Sequence, residues 1–489
     1  MAKKEKVWFS DANASCWTEA LPCKAKDLFY EAKFNEIIEK DDEVAIKIHV
    51  GEWNRSRVLR PELVAAIVEE VKASGGRPFV CDTTTVPYHA YNSRVTGSLE
   101  LESAYRHGFT PDALGCPLVI ADGFSGDDDV RVDVPEGVIL KEAYVAAALV
   151  HADAMINLAH AKGHPITSFG GGIKCIGIGG QSKRGKFHEH LAHWGEPQDA
   201  IGWPLSNPDE CHGLKCDFYQ QCMDGCHRNA ITINENGFHR NTERCRLCYS
   251  CQVTCIFTGH LSQGFTPDYF PYAQMAMSDA ALGVLKTFEG GKVGHMAYAI
   301  DIDPNCDCIP WATLPLCPDL GVYASYDVVA MDTCILDDID NAPVAPGGAN
   351  NAFEGTDYKV GEDKFKITQS TPPRYQLTAG VANGMGTMDY EKVVWEPPIT
   401  RAHSAKWQIR RDPAALILRK MWTKRDYLKE AEPFAKIPFA DKPVIPDWLP
   451  ENGKTKALEG VPVITASMHK SKGVGRELSA PGHPKDFAK

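Results

Sequence analysis

The sequence predicts an α/β fold with mostly parallel sheets, on three observations. From residue 40 onward, short apolar runs alternate with stretches of helical periodicity; glycine pairs stop the helices; and the same rhythm resumes after a cysteine-rich interruption. The first strand is Val44-Ala45-Ile46-Lys47-Ile48, an apolar run short enough to be a buried strand. A helix follows: Pro61 suits its first turn, Val64, Ile67, Val68 and Val71 share one face, and Gly75-Gly76 ends it. Phe79–Cys81, Pro117–Ile120 and Met155–Leu158 are the next strands. In the second stretch, Ala281, Val284, Leu285 and Phe288 mark a helix stopped by Gly290-Gly291, and Tyr298–Ile302 and Val322-Tyr323 are expected as strands. From about 335 to 400, Gly, Asn, Asp and Pro predict long loops with a small hairpin. In parallel sheets ligands bind beyond the carboxyl ends of the strands, which directs attention to residues 49–55, 81–90 and 159–190.

Four segments are expected: an N-terminal α/β domain over 1–204, a cysteine-rich module over 205–262, a second α/β part over 263–400, and a basic, proline-containing C-terminal arm over 401–489. The chain has 489 residues and a formal net charge of −12, which speaks against a nucleic-acid or anionic-membrane binder. The charge is unevenly placed. The arm holds 18 Lys and Arg against 10 Asp and Glu, so it carries +8 and the rest −20. Such an arm either wraps its own acidic body or docks on another subunit, so a homo-oligomer or a place in a complex is expected through 401–489. No apolar run approaches the roughly 20 residues of a membrane span, and no secretion signal is visible. Membrane insertion is not expected, and the cytoplasm is the expected location.

Eight of the 17 cysteines fall between Cys211 and Cys255. A reducing compartment makes that density a metal site and not a disulfide framework. Cys245-x-x-Cys248-x-x-Cys251-x-x-x-Cys255 has the spacing of a bacterial ferredoxin run, where three thiolates hold one 4Fe-4S cube and the fourth crosses to another. Upstream, Cys211, Cys216, Cys222 and Cys226 are less regular. The close His227-Arg228-Asn229-Ala230-Ile231 resembles that of two-cluster ferredoxins, with His227 and Ile256 where proline is usual. One cluster is assigned to Cys245, Cys248, Cys251 and Cys226, and the second to Cys216, Cys222, Cys255 and Cys211. If Cys211 does not reach, the second is a 3Fe-4S cluster or has a non-cysteine ligand. Structural zinc is the alternative, although zinc ribbons do not normally place four cysteines in so short a run.

A second dense region runs from His160 to His193, with five histidines and five Lys or Arg. Its glycines, Gly170, Gly171 and Gly172 among them, allow backbone N–H groups to approach an anion, or else pack a turn against the sheet. A phosphate loop is rejected because Phe187 follows Gly180-x4-Gly185-Lys186 where Ser or Thr must bind magnesium, and a dinucleotide loop because position 182 is not glycine. The candidate catalytic residues are His164, Lys174, His188 and His190 with Cys306 and Cys308. The histidines are proton donors, Lys162 and Lys174 anion anchors, and Lys162, Gly170, Gly171, Lys174 and Lys186 candidate contacts for a cofactor, whether a metal or a small molecule near Lys174. The one-residue gap of Cys306-x-Cys308 is tight for a disulfide, so the pair either binds metal, exchanges electrons with a cluster, or is inert.

Ile46-Lys47-Ile48-His49-Val50-Gly51-Glu52, Arg60-Pro61-Glu62, Cys81-Asp82-Thr83, Lys162-Gly163-His164, Phe169-Gly170-Gly171, Lys174, Lys186, His190, Cys306-Asp307-Cys308, Asp319-Leu320-Gly321 and Ser325–Asp332 together resemble the domain-of-unknown-function family 362 in its ferredoxin-containing form. The resemblance covers roughly residues 40 to 340. It implies an α/β body with two 4Fe-4S clusters and leaves the reaction open. Cys175 stands where the family usually has Asn, and Val328 where it usually has Pro. Lys174 with His164 before it and His190 after it is also similar to nickel-pincer lactate racemase. That likeness implies Lys174 as cofactor tether, His164 as base and His190 as nickel ligand. The expectation is an iron-sulfur redox protein of anaerobic metabolism, working with a redox partner or host enzyme. The alternatives are a metal-cofactor isomerase with structural clusters, and a maturation or electron-delivery subunit without its own chemistry.

Overall fold

The computed structural model describes residues 4–14, 17–86, 93–191, 212–226, 228–235, 237–241, 243–245, 269–369 and 371–396. The C-terminal arm lies outside them, as do Cys211, Cys248, Cys251, Cys255 and His193. Eight strands form one sheet: β1 (Glu5–Asp11), β2 (Glu43–Lys47), β3 (Arg77–Asp82), β4 (Leu118–Ile120), β5 (Ala154–His160), β6 (Val293–Ala299), β7 (Gly321–Ser325) and β8 (Tyr390–Val394). Their spatial order is β8-β1-β7-β6-β5-β2-β3-β4. The run from β6 through β5, β2 and β3 to β4 is parallel, β7 is antiparallel to β6 and to β1, and β8 is parallel to β1. The two α/β stretches of the sequence share this sheet, because β6 pairs directly with β5, Val293 opposite Met155.

Central strands buried on both faces read as nearly continuous apolar runs, which is why β2, β3 and β5 were visible in the sequence. Alternate residues point to opposite layers. Val44 and Ile46 of β2, with Ala154, Ile156 and Leu158 of β5, meet α1 (Leu21–Glu31) and α2 (Pro61–Ala73) through Leu28, Phe29, Val64, Ile67 and Val68. Ala45, Met155 and Ala297 face the other layer. It contains α3 (Gly172–Gly177), α5 (Tyr269–Leu285) and α6 (Val328–Asn341), contributing Ile173, Ile176, Met277, Ala281 and Val329; α4 (Lys183–Leu191) lies between α3 and α5 in the chain.

Residues 335–400 depart from the loop expectation. They hold the end of α6, the helices Lys364–Gln369 and Tyr375–Ala382, and β8, whose partner β1 lies at the far end of the chain with Glu5 opposite Tyr390. The expected strand Tyr298–Ile302 sits earlier, as β6, because Asp301 adopts φ 48° and breaks the extended run. In the cysteine-rich stretch, the helix Tyr219–Asp224 packs on the hairpin Ile231–Asn234 and Gly237–Arg240 through Cys222, Ile231 and Ile233. No helix among the described residues is long and apolar enough to cross a membrane.

Candidate functional site

A cavity of about 440 Å³ opens beyond the carboxyl ends of β2 and β3. Its wall is laid down by the segments that follow the parallel strands, as expected for this class of sheet. β2 ends on Lys47, whose Nζ donates to Asp82 Oδ1 at 2.9 Å and to the Ile48 carbonyl at 2.6 Å. Asp82 ends β3 and also accepts the backbone N–H groups of Val50 and Thr83. Burial alone would raise the Asp82 carboxyl; the Lys47 ammonium and His49 outweigh it and hold the group well below the usual carboxylate range. His49 Nδ1 lies 3.4 Å from Asp82 Oδ2, so the first two strands deliver a buried carboxylate and a partly exposed imidazole side by side.

The segment after β6 brings two thiols to the same place. Cys306 Sγ accepts hydrogen bonds from Lys174 Nζ at 3.0 Å and from the Cys308 backbone N–H at 3.2 Å, and His49 Nε2 lies 4.0 Å away. His164 Nδ1 accepts the N–H groups of Ile166 and Thr167 at 3.1 and 2.9 Å. In the neutral ring the proton therefore sits on Nε2. Burial lowers the His164 pKa against the attraction of Cys306, which favours that neutral ring. Burial would raise the Cys306 thiol, but the hydrogen bond with Cys308, the Lys174 ammonium and His164 hold it well below the ordinary thiol value. The same hydrogen bond, followed by burial, pushes Cys308 well above it. Negative charge is thus favoured on Cys306, beside Lys174, over Cys308. Cys308 lines the cavity, while Cys306 is fully buried behind it.

Asp307, between the two cysteines, fixes this turn. Its carboxylate meets Lys162 Nζ at 2.8 Å, His160 Nδ1 at 2.9 Å and Arg55 Nε at 3.4 Å, all in side chains that are essentially inaccessible. Arg55 also holds Asp303 at 2.8 Å, and His160 Nε2 donates to the Ile300 carbonyl. Burial would raise the Asp307 carboxyl, but Lys162, the His160 contact and Arg55 hold it far below the usual range. The anion that Lys162 anchors is therefore the chain's own Asp307, and Lys162 is not among the residues lining the cavity.

The glycine loop has a similar internal partner. The N–H groups of Gly172 and Ile173, opening α3, donate to the two oxygens of Asp332 from α6 at 2.7 and 2.9 Å. A Cβ on Gly171 would lie 2.4 Å from Asp332 Oδ1 and 2.5 Å from the Phe169 ring, and one on Gly170 would lie 2.8 Å from Lys174 Cδ. Gly170 and Gly171 hence permit close packing that aims α3 and its Lys174 at Cys306.

From α4, Lys186 and His190 line the cavity, and His188 instead packs edge-on against Tyr144 with ring centroids 5.0 Å apart. Burial drives His188 down to about 4, so it is neutral at ordinary pH. Lys186 Nζ donates to Thr83 Oγ1 at 2.8 Å and to the Gln181 carbonyl, and burial lowers it to about 8. The cavity thus brings together His164, Lys174, Lys186, His190 and Cys308, with Cys306 just behind, and leaves His188, Lys162, Gly170 and Gly171 in supporting positions. His49, Asp82, Lys47, Glu52 and Arg94 also line it. They were not among the candidates, although His49 and Glu52 lie within the post-strand segment 49–55 and Asp82 within 81–90. Arg94 pairs with Glu52 and Glu100 inside the wall.

Of the proposed cluster ligands, Cys216, Cys222, Cys226 and Cys245 fall among the described residues. Cys226 Sγ accepts the Ala230 N–H at 3.2 Å, the type of contact that tunes cluster thiolates. All four offer sulfur, the donor that iron-sulfur clusters take, and among the described residues no three of them come together as ligands of one metal ion.

A comparison with curated proteins finds no match. Among solved structures, the lactate racemase apoprotein from Thermoanaerobacterium thermosaccharolyticum is similar at 15% identity with a TM-score of 0.25. The match covers 41% of this chain and 43% of that one, so the chain spans under half of that protein's length. The family model described as Domain of unknown function (DUF362) matches residues 44–337, from the start of β2 into α6, and thus takes in every cavity residue named above. The chain belongs to this family.

Proposed function

We propose that the chain is an iron-sulfur oxidoreductase whose substrate reacts in the cavity beside Cys308. The observation that supports this reading is the buried Cys306–Lys174 pair, with the Cys308 thiol at the cavity wall. Two 4Fe-4S clusters, held by Cys245, Cys248, Cys251 and Cys226 and by Cys216, Cys222, Cys255 and Cys211, would supply one-electron transfer at low potential.

The chain's own residues handle charge and protons. Among the described residues Lys186 hydrogen bonds to neutral oxygens, the Thr83 hydroxyl and the Gln181 carbonyl, and this leaves its cationic form available to a small anionic substrate. Lys47 and Arg94 carry carboxylate partners and shape the wall instead. Cys308 faces the cavity beside Cys306, whose negative charge the Lys174 ammonium matches. Reduction of anaerobically purified protein should give cluster electron paramagnetic resonance, retained in Cys308→Ser while substrate turnover is lost. A silent reduced protein would sink the proposal.

A second reading, proton transfer at a carbon acid with a metal cofactor near Lys174, draws on His164, Lys174 and His190 lining one cavity. Stoichiometric nickel, or a mass addition on Lys174, would favour it.

A further inference from the structure

We infer that His49, Cys306 and Cys308 form a separate binding site for a single thiophilic divalent metal ion of the zinc class, with its fourth position open to the cavity. Their ligand atoms lie within 4.8 Å of one another, and among the described residues they are the group of three or more such side chains that comes together in this way. The inference does not depend on the iron-sulfur clusters, whose ligands lie on a different stretch of chain.

Two sulfurs and one imidazole are the donors that soft and borderline ions select over magnesium or calcium. Three protein ligands plus an open position is the arrangement of a catalytic and not a structural zinc site. The open position follows from where the ligands sit. His49 and Cys308 line the cavity and Cys306 is wholly buried behind them, so an ion among the three has protein on one side and the cavity on the other.

His164 is the neighbouring imidazole, and its hydrogen bonds keep it out of the shell. Both backbone donors enter Nδ1, where no acceptor stands to take a ring proton, so Nε2 keeps it and offers the ion no lone pair. Lys174 then serves as an outer partner that donates to a metal-bound sulfur. His49 is placed differently. Its Nδ1 accepts the Gly51 N–H at 3.1 Å, and the Asp82 carboxylate stands 3.4 Å away. Metal binding at Nε2 puts the ring proton on Nδ1, which gives up the Gly51 bond and donates to Asp82 instead, the carboxylate–histidine–metal arrangement common to such sites. Two thiolates, a divalent ion and the Lys174 ammonium sum to a single positive charge, which favours an anionic ligand at the open position.

The test uses the full chain purified anaerobically and titrated with Co²⁺, whose ligand-field and sulfur charge-transfer bands report tetrahedral thiolate coordination. A second background, with Cys245, Cys248 and Cys251 replaced by Ser, removes competition from the cluster segment. One equivalent should bind in both backgrounds. Its bands should vanish in Cys308→Ser and in His49→Ala, and Asp82→Asn should weaken binding by about 10–100-fold. Circular dichroism like the parent's shows that each variant is folded, and iron and sulfide contents report the clusters independently of this site. Unchanged cobalt binding in folded Cys308→Ser and His49→Ala would overturn the inference, as would a Cys306–Cys308 disulfide in the protein as purified.

Discussion

Asp307→Asn isolates what holds the two cysteines in place. The substitution keeps the shape of the side chain and removes a charge that is inaccessible and faces Lys162 at 2.8 Å, His160 at 2.9 Å and Arg55 at 3.4 Å. Removing one partner of a buried ion pair costs about 3–5 kcal/mol, because the remaining charge is left without compensation. Arg55 keeps Asp303, and the asparagine oxygen still accepts one bond, so the expected loss is at the lower end, about 3 kcal/mol. Most of it falls on Lys162, whose other bond is to the His160 carbonyl. Lys162→Met in the Asp307→Asn background removes the stranded ammonium and should recover about half of the loss, since deleting both partners is far milder than deleting one. Urea unfolding under anaerobic conditions, followed by circular dichroism and tryptophan fluorescence together, measures both variants. A single-variant loss below about 1 kcal/mol, or a double variant no more stable than the single, would refute the reasoning.

Three further outcomes are expected. Burial pushes Asp332 up to about 7 from 3.8, so the folded chain holds a proton that the unfolded chain releases; its contribution is fully present below about 3.8 and is lost as pH rises through about 7. Relative to Asp332→Asn, stability of the parent should fall across that window, and parallel pH profiles would contradict the assignment. Lys186, lowered to about 8 from 10.5, is half neutral near pH 8, and a small reagent such as cyanate should carbamylate it well ahead of surface lysines there; peptide mass mapping showing no preference would count against it. Gly171→Ala places a methyl 2.4 Å from Asp332 Oδ1 and should cost about 1–3 kcal/mol in thermal or urea unfolding, whereas a neutral effect would mean that the loop yields.

The legible parts of the fold were those written locally. β2, α2, β3 and β5 announce themselves because a buried parallel strand is a compact apolar run and α2 carries Pro61 at its start and a single apolar face. β1 and β8 escaped because Glu-Lys-Val-Trp-Phe-Ser-Asp and Tyr-Glu-Lys-Val-Val mix charge with apolar residues, and each is a strand only by pairing with a segment at the other end of the chain. At the site, Lys174, His164 and the two cysteines were visible from density and spacing. His49 carries no spacing signal, and its approach to Cys306 spans 257 residues of sequence. At the glycine loop the backbone donors of Gly172 and Ile173 meet the carboxyl of Asp332, 160 residues away, and that partner is a tertiary fact with no local mark.

Iron and acid-labile sulfide, counted per chain in anaerobically purified protein and in its Cys245→Ser variant, test the central proposal most directly. About eight of each are expected in the parent, falling by about four when the cube at Cys245, Cys248 and Cys251 loses a ligand. Stoichiometric zinc with no sulfide in the parent would contradict it.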